Sequence, residues 1–152
     1  MLNKNINSTY NSTLKLICKL IGHNKTTTNF ELNRIGKTLF NNKFAGCFPI
    51  DKIPKLNSLQ KYCILNLDNS RGSGSHWISC VFDNGNYILY DSFGRCHTKI
   101  INKKYIKHVS IINTDIEPSN MDQKVSQENC GQRALTALVI YDLHGLDFYM
   151  KL

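Results

Sequence analysis

Apolar side chains recur along this chain with two different periods, and the switches between them mark its organisation. Within residues 11–21, Leu14, Ile17, Cys18 and Ile21 fall at helical intervals, which predicts an amphipathic helix. The stretch before it is polar (Asn3, Lys4, Asn5, Asn7, Ser8, Thr9), and residues 1–10 are expected to be flexible. A second helix is predicted over 29–40. Asn29 can cap it, Glu31 falls in its first turn, and Leu32, Ile35, Leu39 and Phe40 line one side. Residues 44–50 (FAGCFPI) read as a break between helix and sheet, with a short helix or turn after Asp51.

The middle of the chain changes period. Residues 62–68 (YCILNLD), 76–83 (HWISCVFD) and 86–92 (NYILYDS) are short and rich in β-branched and aromatic residues, so they read as strands. Asn84-Gly85 joins the second to the third as a two-residue hairpin turn, whose central positions both need positive φ. A further strand is expected over 109–113. From Cys130 the helical period returns, with Ala134, Leu135, Leu138, Val139 and Leu143 apolar as far as Gly145, a terminator. Helices, then a strand meander, then a last long helix that can cross the sheet make an α+β fold in one domain, 1–152. The sheet is expected to be mostly antiparallel.

Composition changes this picture little. The chain has 152 residues, of which 41% are hydrophobic, enough for one real core. No apolar run approaches the ~18 to 20 residues that span a bilayer, so no membrane partner is expected. The apolar patch from Leu14 to Ile21 is broken by Lys15 and Lys19, which makes a poor export signal. An intracellular or intraviral protein with reduced thiols is expected. Its six cysteines, at 18, 47, 63, 80, 96 and 130, form no CxxC pair and fit no zinc module, so no metal is expected.

Charge adds a question. The net charge is +8, and Lys99, Lys103, Lys104 and Lys107, near His97 and His108, form the densest basic stretch. It reads either as a nucleic-acid contact through phosphate neutralisation or as a solvated face that keeps the chain soluble.

The hairpin places two candidate chemical groups together. If Asp83 and Asn86 flank the turn as a pair, counting outward sets His76 opposite Phe93 and Ile78 opposite Asp91. His76 and Asp91 are then diagonal neighbours on one face, about 7 to 8 Å apart at the backbone and within side-chain reach. A carboxylate there can accept the imidazole Nδ1–H and leave the other nitrogen free as a base. Cys130 opens the last long helix, where the dipole and a nearby imidazolium stabilise a thiolate. Gly131 has no side chain to obstruct a substrate backbone approaching the sulfur. A cysteine opening a helix can equally be a small packing residue; the His and Asp are what set this one apart.

The same order and local wording resemble the adenovirus-type viral maturation cysteine proteases. The elements are Gly74-Ser75-His76-Trp77, then Tyr90-Asp91-Ser92-Phe93-Gly94, then Gln123 through Cys130-Gly131 (QKVSQENCG). Upstream, residues 29–54 are similar to the helix and Phe-x-Gly-x-Phe stretch that precedes the sheet in that family. The resemblance covers about residues 29–145, and its closest flavour is the protease of virophages and Polinton-like elements. The clan also contains the ubiquitin-like-protein proteases. Departures are Asp91 where adenoviral enzymes have Glu, Ser126 one position early in its loop, Arg133 and Ala134 where relatives often have aromatic residues or cysteine, and a shorter C-terminal region.

The resemblance implies a papain-like-clan fold and peptide hydrolysis. Cys130 would be the nucleophile, His76 the base and Asp91 its orienting acid. Gln123 would serve the oxyanion hole, with Gln127 the alternative, and Trp77 would wall the cleft, unless it is an ordinary core aromatic. Substrates would be capsid or core precursor proteins, cleaved by a monomer in the virion or the cytoplasmic viral factory. No cofactor is required, although DNA and an activating peptide linked through a cysteine serve the adenoviral enzymes; Cys96 is a candidate for such a link and otherwise a plain thiol. Two other readings compete: a ubiquitin-like-modifier protease or acyltransferase, and a basic nucleic-acid-binding virion protein with an inactive triad.

Overall fold

Apolar residues at positions 6, 10, 14, 17 and 21 follow one another in steps of four, four, three and four, so a single helical stripe begins earlier than residue 11. In the computed structural model, which describes residues 2–115 and 122–152, α1 runs over Leu2–Ile21 and buries Ile6, Tyr10, Leu14, Ile17 and Ile21. The helix thus reaches into the first ten residues, where Ile6 and Tyr10 continue the stripe through a run whose Asn, Ser and Thr disguise it. The second helix, α2 (Asn29–Phe40), has the expected bounds. Its cap is Thr28 rather than Asn29: the Thr28 hydroxyl accepts the Glu31 N–H, and the Glu31 carboxylate accepts the Thr28 N–H.

Phe44–Pro49, read from sequence as a break, is an edge strand, β1. Gly46 at φ 129° carries an irregularity in its pairing, and Pro49 ends it, so glycine and proline mask the strand without preventing it. A single turn of 3₁₀ helix, Ile50–Lys52, follows. Then come β2 (Tyr62–Asn66), β3 (Trp77–Asp83) and β4 (Asn86–Tyr90). The short helix α3 (His97–Ile100), a 3₁₀ turn at Lys103–Tyr105 and β5 (Ile111–Asn113) lead to α4 (Cys130–His144) and α5 (Leu146–Met150).

Among the described residues, five strands form the sheet and lie in sequence order. The β2–β3 and β3–β4 pairs are antiparallel, whereas β1–β2 and β4–β5 are parallel. The sheet is thus evenly mixed, not mostly antiparallel: the connections before β2 and β5 are long enough to return each strand in the same direction. Asn84 and Gly85 take φ 48° and 79°, the positive values their turn requires, and Asp83 pairs with Asn86.

Both faces of the sheet are covered, which is why its strands read as nearly continuous apolar runs. Tyr62, Ile64, Val81, Ile88 and Tyr90 face one core, built with α1, α2, α4 and α5. Cys63, Leu65, Ile78, Cys80, Tyr87 and Leu89 face the other, closed by Ile50, Leu56 and Ile101 from the connecting segments. The α4 helix is buried from Gly131 through Leu138 and again at Ile140 and Tyr141, on nearly every side, so it is the central helix of the domain. Leu143, expected on its apolar side, is 71% exposed. Gly145 at φ 83° ends it. Among the described residues no helix is long and apolar enough to cross a membrane.

Candidate active site

The paired part of the β3–β4 ribbon stops at Ser79 and Tyr90, and the two chains continue past it towards the N-terminus of α4. His76 and Asp91 lie on these extensions, both buried, with His76 Nε2 2.6 Å from Asp91 Oδ1. The carboxylate therefore takes Nε2, not the Nδ1 expected from sequence, and Nδ1 is the nitrogen left for a further partner. Cys130, the first residue of α4, lies close enough to His76 for each to shift the other's titration.

A tight turn holds the acid. Gly94 N–H donates to the Asp91 carbonyl, 2.8 Å, and Gly94 sits at φ 66°. The turn brings the Phe93 N–H to Asp91 Oδ1, 3.1 Å, and the Arg95 Nε to Asp91 Oδ2, 2.7 Å. The ring of Phe93 stacks on His76, with centroids 4.9 Å apart and planes 28° from parallel, and the Arg95 guanidinium covers the same phenyl ring at 5.1 Å. Each member of the Asp-Ser-Phe-Gly run thus has a task, and so does Ser92: its hydroxyl donates to Gln123 Oε1 at 2.6 Å.

The protonation states follow from these contacts. Burial opposes ionisation of Asp91, but the hydrogen bonds from His76 and Arg95 outweigh it and hold the carboxyl at about 2. Burial would lower His76; the hydrogen bonds to Asp91 and Cys130 outweigh it and raise the imidazole above its ordinary value. Burial likewise opposes the Cys130 thiolate, yet His76 and the N–H groups of Trp77 and Gly131 bring the thiol below its ordinary value. All three shifts favour a thiolate–imidazolium pair backed by a carboxylate.

On the other side of Cys130 lies the loop that carries both candidate glutamines. Gln123 is buried, its side-chain carbonyl on Ser92 and its amide donating to the Gln127 carbonyl at 2.5 Å. Gln127 is half-buried, and its side-chain oxygen accepts from the Lys124 N–H at 2.8 Å and from Arg133 Nη2 at 3.2 Å.

Cys130 opens into a cleft of about 520 Å³. Trp77 and Gly74-Ser75 form part of its wall, Thr26 to Thr28 a second part, and Cys47 to Pro49 of β1 a third. Trp77 is both cleft wall and structural prop, since its indole N–H donates to the Thr27 carbonyl at 3.2 Å. The segment 23–28 is pinned to α4: Gln132 Nε2 donates to the His23 and Lys25 carbonyls, at 3.2 and 2.8 Å, and Asn129 Nδ2 donates to Asn24 Oδ1 at 2.6 Å. This gives Gly131 a reason different from the one expected. A Cβ there would lie 1.9 Å from Thr27 Oγ1, so the glycine lets the cleft wall, not a substrate, approach the helix.

Lys99, Lys103, Lys104 and Lys107 are all exposed on the segment between β4 and β5, and none lines the cleft. Cys96 is half-buried, and its thiol sits lower than an ordinary one because the Thr98 hydroxyl donates to it. Among the described residues no group of three or more His, Cys, Asp or Glu side chains is arranged to hold a metal ion. Arg95, Ser92 and Arg133 were missed as site residues. Ser92 and Arg95 had a signal in their closeness to Asp91; Arg133 carried none except a charge in an otherwise apolar helix.

A comparison with protein-family models finds no match for the chain, and a comparison with curated proteins finds none either. What is established, among the described residues, is an α+β arrangement of five helices and a mixed five-stranded sheet, whose central helix begins at a thiol beside a histidine–aspartate pair.

Proposed function

We propose that this protein is a cysteine endopeptidase of the papain-like clan, with Cys130 as nucleophile, His76 as base and acid, and Asp91 as the group that orients it. The observation that carries the reading is the buried hydrogen bond between His76 and Asp91, with Cys130 beside His76 at the start of a buried helix and opening directly on the cleft. A buried thiol kept for packing alone has no use for an ionised carboxylate two groups behind it. In the proposed reaction the thiolate attacks a peptide carbonyl, and backbone amides at Cys130 and Gly131 face the developing oxyanion. His76 protonates the leaving amine, then takes a proton from the water that opens the thioester. Gln123, fixed by Ser92 and the Gln127 carbonyl, retains a second amide proton for the oxyanion; the side-chain oxygen of Gln127 is engaged by Lys124 and Arg133, which favours Gln123 over Gln127.

The sequence resemblance points to capsid or core precursors of a virus as substrates, processed during virion maturation. Co-expression of such a precursor with the wild-type chain and with Cys130→Ala tests the assignment. Cleavage by the wild type and none by the variant is expected, a loss of at least about 10⁴-fold; processing that persists with purified Cys130→Ala would sink the assignment.

A further inference from the structure

Behind the site, away from the cleft, three buried polar side chains meet a half-buried carboxyl group. Arg133, on the first turn of α4, is 6% exposed; Tyr10 of α1 and Tyr90 of β4 are 3% and 1% exposed. Asp122, at the start of the loop, completes the group. A buried guanidinium is costly unless its donors are met, and here they are met from α1 and from the loop before α4. Its Nε donates to Asn129 Oδ1 at 2.9 Å, its Nη2 to Gln127 Oε1 at 3.2 Å, and its Nη1 to the Tyr10 hydroxyl at 3.4 Å. The guanidinium also lies over the Tyr10 ring, 5.9 Å from the centroid.

The hydroxyls give the group a direction. The Tyr90 hydroxyl donates to Asp122 Oδ2 at 2.8 Å, so in its 2.6 Å contact with Tyr10 it must accept. Tyr10 therefore donates to Tyr90 and accepts from Arg133. The result is one continuous run, Arg133 to Tyr10 to Tyr90 to Asp122, with a cation at one end and a carboxyl at the other. Each hydroxyl is used once as donor and once as acceptor, the arrangement in which linked hydrogen bonds reinforce one another. The run brackets the segment before the nucleophile: Asp122 holds its first residue, while Gln127 and Asn129 are gripped directly by Arg133. Within that bracket lies Gln123, whose amide donates to the Gln127 carbonyl.

We propose that Arg133 and Tyr10 are positioning residues. They clamp the 122–129 loop so that Gln123 and the Cys130 N–H face the same point, and they make that geometry depend on α1 being docked. The proposal rests on the cysteine-protease reading above. Arg133 reaches no reacting atom; it acts through Gln127 and Asn129. A lysine cannot replace it, because a single ammonium group does not span three acceptors in one plane.

Two reagents separate this role from a merely structural one. Iodoacetamide alkylates a thiolate by displacement and needs no oxyanion site, whereas acylation by p-nitrophenyl acetate passes through a tetrahedral oxyanion. In Arg133→Met and Arg133→Lys, acylation of Cys130 is expected to fall about 100-fold, as displaced catalytic geometry does. The rate and pH profile of alkylation should stay within about threefold of wild type. Tyr10→Phe, which removes one oxygen, should show the same split at about a tenth of that size. Equal loss in both reactions, or unchanged acylation in folded variants, would overturn the clamp. Should Arg133→Met fail to fold by circular dichroism, Tyr10→Phe decides alone. A wild-type chain whose Cys130 is neither alkylated nor acylated faster than its other thiols would instead defeat the protease reading, and the clamp with it.

Discussion

The extended end of the β3–β4 hairpin and the 122–129 loop both converge on Cys130, and they are held by different means. On the hairpin side every contact is short in sequence or set by one turn: Asp91 is gripped by Phe93 and Arg95, and His76 reaches it across a two-stranded ribbon. On the loop side the contacts cross the whole chain. Tyr10 lies on the first helix, Asn24 beyond it, Tyr90 in the sheet and Arg133 in the fourth helix. The hairpin side sets charge, through a carboxylate held near 2 and an imidazole raised above its ordinary value. On the proposed reading, the loop side sets direction, by aiming neutral N–H donors. Local structure suffices for the first task because an ion pair tolerates small errors in angle; the second needs a rigid frame, because hydrogen-bond donors lose strength steeply with misalignment.

Variants on the two sides should therefore fail differently. Asp91→Asn is expected to have the largest effect, a fall in kcat of about 10²- to 10⁴-fold. It also moves the alkylation profile of Cys130 to higher pH. Without the carboxylate His76 drops, less imidazolium faces the sulfur, and the thiol rises. An unmoved profile would show that the hairpin side does not set the thiolate. Gln123→Ala comes next, with peptide hydrolysis lower by about 10²- to 10³-fold. Its alkylation profile should match that of the wild type, and a shift would break the division between charge and direction.

The smallest effect is expected for Arg95→Met. Its side chain is 40% exposed, so solvent screens the pair with Asp91 and the loss in turnover is about two- to fivefold. The sign is fixed by Asp91: losing Arg95 lets its carboxyl rise from about 2, so on acidification activity disappears at a higher pH than in the wild type. A pH–rate profile checks it, and an unchanged acid limb would mean that His76 alone holds the carboxylate.

What could be read from the chain follows the same boundary. The second helix, the Asn84-Gly85 hairpin and the position of Cys130 at the head of the central helix were legible, since each rests on spacing within a few residues. So was the meeting of His76 with Asp91, because one turn fixes the register of both strands. The nitrogen they share was not, because the ring is oriented beyond the last paired residues by Phe93 and by the thiol. The strand at Phe44–Pro49 was hidden by its own glycine and proline; its pairing with β2 and the 3.0 Å bond from the Cys47 N–H to Asn33 hold it in place.

By itself the sequence determined the class of fold, the turn that joins the two central strands, and which three side chains could meet. Tertiary structure decided the rest. It made the edges of the sheet parallel, gave Gly131 to the cleft wall, and recruited Arg133 from within an apolar helix to hold a loop. Period and turn chemistry act over a few residues and leave their mark in spacing. A buried cation is made tolerable only by partners from distant segments, and nothing near it in the chain names them.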